Sequence, residues 1–357
     1  MKLGARMLKT GIAITLALYL AQLLDLQPIL FTGIAAIFAI QPTIYRSYLS
    51  VVEQIQGNII GALLAVAFTL LFGNHLLILG LAAIVAIGIM VKLKLENSIR
   101  LALVTIIAIM EAPVEDFLYY ASLRTFSIFL GILSAFIVNM IFLPPKYETR
   151  LFQSISEVTE DILKWIRLTT RFASEDELLK KDIETIKKRL TKVNQLYSMY
   201  EEERRYFKKS DYAKLRKLVL YRQMIQVTQK SFDILKLQHK YENILLQLPE
   251  TLQVDTRERL DYLMGYHDQL LLKFIGRVRP EAELDDVHYG ESSRGQLRDA
   301  YLAEIRKDNV EDEFQPYHLM RILTAIIEYE EQLEQLEKLI RTSQMFHEDE
   351  TQVTLPS

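Results

Sequence analysis

The sequence contains no cysteine among its 357 residues, which excludes disulfide bonds, thiolate catalysis and cysteine-based metal sites. It also has no glycine-rich phosphate loop and no nucleophile elbow of the kind that hydrolases use. The six histidines are scattered, and no two of them are four residues apart on one helix. The sequence therefore predicts no enzyme, no cofactor and no metal site.

Charge is scarce in the first part of the chain. Residues 1–145 hold 8 of the 42 Lys and Arg and 6 of the 45 Asp and Glu, which leaves 34 bases and 39 acids for the rest. The resulting net charge of −5 in the later part creates no basic field for nucleic acid. The composition predicts two domains, 1–145 and 146–346, followed by a disordered tail at 347–357, with no nucleic-acid partner.

Six apolar segments account for most of the first domain. Several are shorter than the roughly 20 residues that a helix needs to cross about 30 Å of hydrocarbon. Six such segments, joined by turns as short as Gly73-Asn74-His75, leave no polar surface to cover them in water. The sequence therefore predicts six transmembrane helices in a lipid bilayer, at residues 11–24, 29–40, 51–72, 76–91, 97–110 and 122–143.

The bases beside these segments indicate their orientation. Nine lysines and arginines fall on one side of the predicted membrane domain, whereas the other side has only Arg124. Cytoplasmic loops carry the excess of Lys and Arg in multi-pass proteins. Both termini are therefore predicted to be cytoplasmic, in a multi-pass protein of the plasma membrane.

The second domain shows helical periodicity, with apolar residues alternately three and four positions apart. It predicts an antiparallel, coiled-coil-like bundle of long helices, so that the whole chain is all-α. One helix is expected over 211–248, and a turn-rich or disordered stretch over 280–293. The last helix has a heptad seam that packs either inside the bundle or against a second subunit. The seam consists of Leu319, Ile322, Ile326, Tyr329, Leu333, Leu336 and Ile340.

Polar residues near the third segment are candidates for function, because a charge or amide inside a membrane is costly unless it faces a cavity or a partner. Arg46, Ser50, Glu53 and Gly57 follow 4, 3, 4 spacing and share one helix face. That face is either a cap that reaches cytoplasmic water or the inner mouth of a substrate path. In the second case Arg46 attracts an anion, Glu53 takes a proton, and Gln56 is a further candidate.

The sixth segment carries two more polar candidates. Arg124 lies within reach of Glu111, Glu115 and Asp116, and it serves either a structural ion pair or a gate. Asn139 is deep enough in the segment to need a hydrogen-bond partner, so it either joins helices or lines a pathway.

Two pairs of small residues predict close helix packing. Gly57 with Gly61, and Gly131 with Ala135, are four residues apart in apolar segments. Small side chains at this spacing let two helix backbones approach each other. Helix packing is the predicted role of all four residues.

These features together resemble the fusaric-acid-resistance and aromatic acid exporter superfamily. Six spans followed by a charged helical domain are similar to its single-repeat bacterial members, aromatic acid exporters of the family member 1 type. The resemblance is carried by the Gln41-Pro42 break, Arg46, Gln56-Gly57, Gly61, Arg124, Gly131, Asn139 and Pro144-Pro145.

The resemblance implies an efflux transporter for aromatic carboxylic acids or similar small organic anions, driven by the proton gradient. In that function Arg46 binds the carboxylate, Glu53 is the proton-coupled group, and Arg124 neutralises the anion at the outer exit. Since related exporters often contain two six-span halves, a chain with one half is expected to form a homodimer. Two alternatives remain open, namely an anion channel on the same scaffold and a non-transporting, membrane-anchored helical scaffold.

Overall fold

The structure is a computed structural model, and it separates into two compact units. We name them the apolar unit, Met1–Pro145, and the charged unit, Lys146–Ser357. All regular secondary structure in the described part of the chain is helical, which confirms the all-α prediction. The described residues are 4–41, 44–111, 117–141, 147–207, 212–279, 287–306 and 315–346.

Each apolar segment predicted from the sequence coincides with an α-helix. The third helix begins seven residues earlier than predicted, and a short 3₁₀ helix at Glu96–Ser98 precedes the fifth. The Pro144-Pro145 pair, which follows the sixth predicted segment, lies outside the described residues. The helices are α1 (Gly4–Leu23), α2 (Leu30–Ala39), α3 (Ile44–Phe72), α4 (Leu76–Lys92), α5 (Ile99–Met110) and α6 (Phe117–Ile141).

Two of these helices are long and apolar enough to cross a membrane, when only the described residues are considered. They are α3, through Tyr45–Phe72, and α6, through Phe117–Ile141. Only 22% of the most apolar stretch of α3 is fully buried inside the unit, so most of that stretch is at least partly exposed. By contrast α2, with its 10 residues, is only about 15 Å long.

The core of the apolar unit is built from small side chains. The helix α6 packs against α1, α2 and α3. The helix α3 also packs against α5, and α4 lies against both α3 and α5. A Cβ added at Gly131 would overlap the carbonyl oxygen of Thr32, so α2 and α6 approach as closely as two helices can. A Cβ at Gly61 would lie 3.0 Å from the carbonyl oxygen of Ala102, so α3 and α5 are also in close contact, although less tight.

The charged unit is a bundle of long helices. α9 packs against α7, α8 and α13, and α13 also packs against α11 and α12. Its helices are α7 (Tyr147–Thr169), α8 (Asp176–Phe207), α9 (Tyr212–Lys240), α10 (Glu242–Leu246), α11 (Glu250–Phe274), α12 (Val287–Ile305) and α13 (Gln315–Phe346).

Two predictions for the charged unit are wrong. The helix expected over 211–248 is interrupted at Tyr241, whose φ of −113° and ψ of 26° are not helical. Tyr241 is buried there because its ring stacks on His318 at 4.4 Å and its hydroxyl accepts a hydrogen bond from Arg321 at 3.1 Å. The stretch expected to be irregular at 280–293 is helical from Val287 onward, and 280–286 lies outside the described residues, as does the predicted tail.

The heptad seam of α13 lies inside the charged unit. All seven of its apolar residues are at most 3% exposed, and they pack in one core with α7, α8, α9 and α11. The seam is therefore already occupied within the subunit. A second subunit would need a different surface.

Buried ion pairs join α13 to α11 and α12. Arg259 and Glu330, 2% and 6% exposed, form a direct pair, and Arg294 Nε lies 3.1 Å from the same carboxylate. Further along the same two helices, Lys273 Nζ of α11 lies 3.4 Å from Glu337 Oε1 of α13. Removing Glu330 would take this carboxylate from both Arg259 and Arg294, and breaking a buried ion pair in this way costs about 3–5 kcal/mol. These pairs therefore define how α11, α12 and α13 align.

A fully buried imidazole lies in the same part of the charged unit. His267 Nδ1 is 2.9 Å from the hydroxyl of Tyr329 in α13. Burial lowers the pKa of His267 to about 3, because no charge nearby compensates the desolvation of the imidazolium. His267 is therefore neutral in the folded protein at all physiological pH values.

We predict that acid destabilises the charged unit through His267. Its folded pKa lies below the unfolded value near 6.5, so the unfolded state binds the proton first and stability falls as pH drops below about 6.5. Between pH 7 and pH 5 the wild type should lose about 2 kcal/mol more than His267→Gln. Denaturant unfolding followed by fluorescence of Trp165, the single tryptophan, measures this. The exposed-histidine control His75→Gln should behave as wild type, and equal acid sensitivity of His267→Gln would contradict the prediction.

We predict that Gly131→Ala destabilises the apolar unit and that Gly80→Ala does not. The first substitution forces α2 and α6 apart, and overpacking of this kind costs about 1–3 kcal/mol. The second places its methyl group in open space on α4. Thermal unfolding of the detergent-solubilised chain, followed by circular dichroism, should show a lower Tm for Gly131→Ala alone. Equal Tm values for the two variants would show that the α2–α6 contact is not tight.

Candidate functional site

A column of buried polar residues runs along the inward face of α3. Ser47, Ser50, Gln54 and Asn58 follow 3, 4, 4 spacing, and each is at most 7% exposed. We name these four residues the polar seam. Because α2, α5 and α6 all pack on this side of α3, its polar groups must find partners inside the protein.

The face predicted from the sequence is only partly the inward one. Ser50 and Gly57 are buried as that prediction requires, but Arg46 and Glu53 are half-buried and Gln56 is exposed. Glu53 Oε2 accepts a hydrogen bond from Asn97 Nδ2 at 3.0 Å. Arg46 and Glu53 therefore lie at the margin of the helix packing rather than within it.

Gln54 joins α3 to the end of α2. Its Nε2 donates to the carbonyl oxygen of Phe38 and to Ser50 Oγ, both at 2.9 Å. Ser50 Oγ also accepts from Gln41 Nε2 at 3.3 Å. These bonds satisfy a carbonyl in the last turn of α2, which has no helical donor of its own.

Asn58 joins α3 to α5 and α6. Its Oδ1 accepts a hydrogen bond of 2.5 Å from the Thr105 hydroxyl, and its Nδ2 donates to the carbonyl oxygen of Thr125 at 3.5 Å. Asn58 and Thr105 are both fully buried. The polar seam thus holds the four helices α2, α3, α5 and α6 together, and it carries no charged side chain.

Arg124 lies on the opposite side of α6, against α2. The centre of its guanidinium group is 3.8 Å from the centroid of the Phe31 ring. Its Nε and Nη1 are buried and have no hydrogen-bond partner in the part of the chain that the structure describes. Of the predicted acidic partners, Glu111 is exposed, and Glu115 and Asp116 lie outside the described residues. A cation with two free donors beside an aromatic ring is suited to bind an anion.

A second cation lies at the C-terminal end of α6. Asn139, 1% exposed, accepts a hydrogen bond at its Oδ1 from Lys9 Nζ of α1 at 3.3 Å. The ammonium group of Lys9 therefore brings a positive charge to this end of α6.

The small residues predicted to pack lie at helix contacts. A Cβ at Gly57 would be 2.6 Å from Met90 Cε and 2.7 Å from Ser98 Oγ, where α3 meets α4 and the 3₁₀ helix. Gly61 faces α5, Gly131 faces α2, and Ala135 is fully buried in the core that α1, α2 and α6 share.

Sequence reasoning gave no functional role to several residues of these contacts, among them Thr105, Lys9 and Phe31. Thr105 is a lone hydroxyl within an apolar segment, which was a usable signal. Lys9 was counted only as one of the bases that orient the chain. Phe31 gave no signal, because an aromatic residue in an apolar segment is ordinary.

An open groove of about 390 Å³ lies between α3 and α6, away from Arg124. Its lining is aliphatic and aromatic apart from the hydroxyls of Ser122 and Thr125, both of which donate to carbonyls of their own helix. It offers no cation to an anionic ligand. The chemistry for binding an anion therefore lies on the α2 side of α6.

The comparisons with known proteins agree with one another. Residues 1–142 match the family described as aromatic acid exporter family member 1. The chain is 48% identical over 353 residues to the UPF0421 protein YgaE of Bacillus subtilis, covering 99% of each chain. It is 33% identical over 221 residues to a UPF0421 protein of Staphylococcus epidermidis, covering 60% of this chain and 66% of that one. A UPF0421 protein of Oceanobacillus iheyensis is 30% identical over 165 residues, or 46% and 47% of the two chains.

We predict that Thr105→Val destabilises the apolar unit by about 1–3 kcal/mol, because it leaves Asn58 Oδ1 buried without its donor. The control Thr15→Val removes an exposed hydroxyl that donates only to Gly11 of its own helix. Thermal unfolding in detergent compares the two. In an Asn58→Leu background the Thr105→Val cost should largely disappear. A cost no larger than that of Thr15→Val would show that the hydrogen bond does not hold α3 to α5.

Proposed function

The chain belongs to the UPF0421 family and carries the domain of aromatic acid exporter family member 1, and on this premise we propose that it exports aromatic carboxylates or similar small organic anions across the plasma membrane. In this proposal α1 to α6 are six spans, both termini are cytoplasmic, and the charged unit lies in the cytoplasm. The one-sided distribution of Lys and Arg supports that orientation. The proton gradient supplies the energy.

The contact of Arg124 with Phe31 is the observation that carries the proposal. A carboxylate accepts charge-assisted hydrogen bonds from a guanidinium group, and two buried nitrogens of Arg124, Nε and Nη1, have no partner in the described structure. Phe31 provides an aromatic face beside the cation, on which an aromatic ring gains contact area. An aromatic carboxylate offers both of the matching groups. In a medium of low dielectric constant the attraction between the two charges is far stronger than in water.

Glu53 and Arg46 retain their proposed roles at the inner end of α3. Both are half-buried, so they can exchange protons and anions with cytoplasmic water while remaining next to the helix bundle. In this proposal Arg46 attracts the carboxylate and Glu53 is the proton-coupled group. Gln56 is exposed on another face of α3, so we assign it no part in the path.

A homodimer remains part of the proposal, since related exporters often combine two six-span halves. The α13 seam is occupied within its own unit, so the contact between subunits is assigned to another surface.

We predict that Arg124→Ala lowers the uptake of radiolabelled 4-hydroxybenzoate by energised everted vesicles at least tenfold, because a good charged hydrogen-bonded contact contributes about 1.5–3 kcal/mol. Arg124→Lys should keep part of the activity, since it retains the charge but not the paired donors. The matched control Arg100→Ala removes an exposed base and should transport as the wild type does.

Two results would overturn parts of this proposal. Wild-type uptake by Arg124→Ala would remove Arg124 from the substrate site. Uptake that continues unchanged after an uncoupler collapses the proton gradient would identify an anion channel. Absence of uptake by the wild type would favour the non-transporting scaffold.

A further inference from the structure

We propose that the substrate crosses the apolar unit along the face of α6 that α1 and α2 cover, between Lys9 with Asn139 at the inner end and Arg124 at the outer end. The closed contact of α2 with α6 between these ends is then the barrier that opens during transport. This inference rests on the proposed function and names the route for its substrate.

One face of α6 connects the two cationic ends. Arg124, Ile128, Gly131, Ala135 and Asn139 follow 4, 3, 4, 4 spacing, so they form a single line along the helix. We name this line the α6 route. Its two ends, Arg124 and Asn139, are fifteen positions apart along the helix, which corresponds to about 22 Å. That distance is most of the hydrocarbon thickness of a bilayer, about 30 Å.

The α6 route is closed in this structure. Ile128 and Ala135 are fully buried, and a Cβ at Gly131 would overlap Thr32 and lie 2.8 Å from Ala35 Cβ. No room remains for an aromatic ring between α2 and α6. A substrate can pass only if these helices separate.

The residues that close the route are small. Six of the eleven buried residues in the core shared by α1, α2, α5 and α6 are alanines. Each alanine buries less apolar area than a leucine, so parting this contact by a few ångströms loses less hydrophobic free energy. The polar seam of α3, by contrast, is held by hydrogen bonds to α2, α5 and α6. The contact of α2 with α6 is close, but apolar packing of small residues holds it.

Unpartnered polar atoms mark the closed contact. Thr32 is fully buried, and its Oγ1 has no hydrogen-bond partner within the described residues. At the outer end, Arg124 Nε and Nη1 are also buried without a hydrogen-bond partner among the described residues. A buried donor without an acceptor is unfavourable, so the closed state is penalised at both places. Separation that admits water or a carboxylate would relieve the penalty, which favours opening when substrate is present.

The absence of cysteine allows a direct test. Single substitutions Ala35→Cys and Ala135→Cys place the only thiol of the chain in the α6 route, whereas Ala65→Cys places it in the buried contact of α3 with α4 and α5. Each variant is reconstituted in everted vesicles, and its rate of labelling by N-ethylmaleimide is measured. One set of vesicles is energised with 4-hydroxybenzoate present, and the other is de-energised without it.

The expected result is labelling of both route cysteines at least ten times faster under transport, with Ala65→Cys unchanged. A merely structural role of the α2–α6 contact would not change the labelling rate with substrate. If Ala35→Cys loses uptake, Ala17→Cys on α1 tests the same buried core. Route cysteines that label as slowly as Ala65→Cys while the vesicles take up 4-hydroxybenzoate would overturn the route and leave the exporter proposal standing. Vesicles of the unsubstituted chain without uptake would instead reject the exporter itself.

Discussion

The close approach of α2 to α6 is the contact on which the arrangement of the apolar unit depends. Gly131 lets the Thr32 carbonyl come nearer than any residue with a Cβ would permit. This approach brings Phe31 under the guanidinium group of Arg124, because both are near the same end of their helices. Near the other end of α6, Asn139 accepts a hydrogen bond from Lys9 of α1.

Polar groups in the apolar unit differ in whether their atoms have partners. Gln54 and Asn58 bond to groups on neighbouring helices, and in doing so they hold α3 in place. Thr32, Ser47, Gln54 and Arg124 keep buried atoms without partners among the described residues, and Arg124 is the charged member of this set. Since burial of an unpaired charged donor is especially unfavourable, Arg124 is the residue suited to a site that gains from binding. The bonds of Gln54 and Asn58 thus serve stability, whereas the exporter proposal assigns binding to Arg124.

The charged unit is stabilised by different means. Its core consists mainly of leucine, isoleucine and tyrosine side chains, and the α13 seam contributes residues along its whole length. Buried pairs such as Arg259 with Glu330 then determine the alignment of the surrounding helices, because a shifted register would leave their charges unpaired. Such a bundle has no need of the small residues that the apolar unit uses.

The sequence by itself determined the elements that depend on local patterns. Apolar runs placed α1 to α6, and the 3, 4 spacing placed the α13 seam, because hydrophobic periodicity is a property of neighbouring residues. Only the tertiary structure decided which polar residues face inward, since that depends on where other helices pack. Successive residues of a helix differ by 100° in direction, so the packing of α2, α5 and α6 buried Gln54 and Asn58 and left Glu53 and Gln56 at the margin or outside. The same long-range contacts placed Phe31 against Arg124 and interrupted a regular pattern at Tyr241.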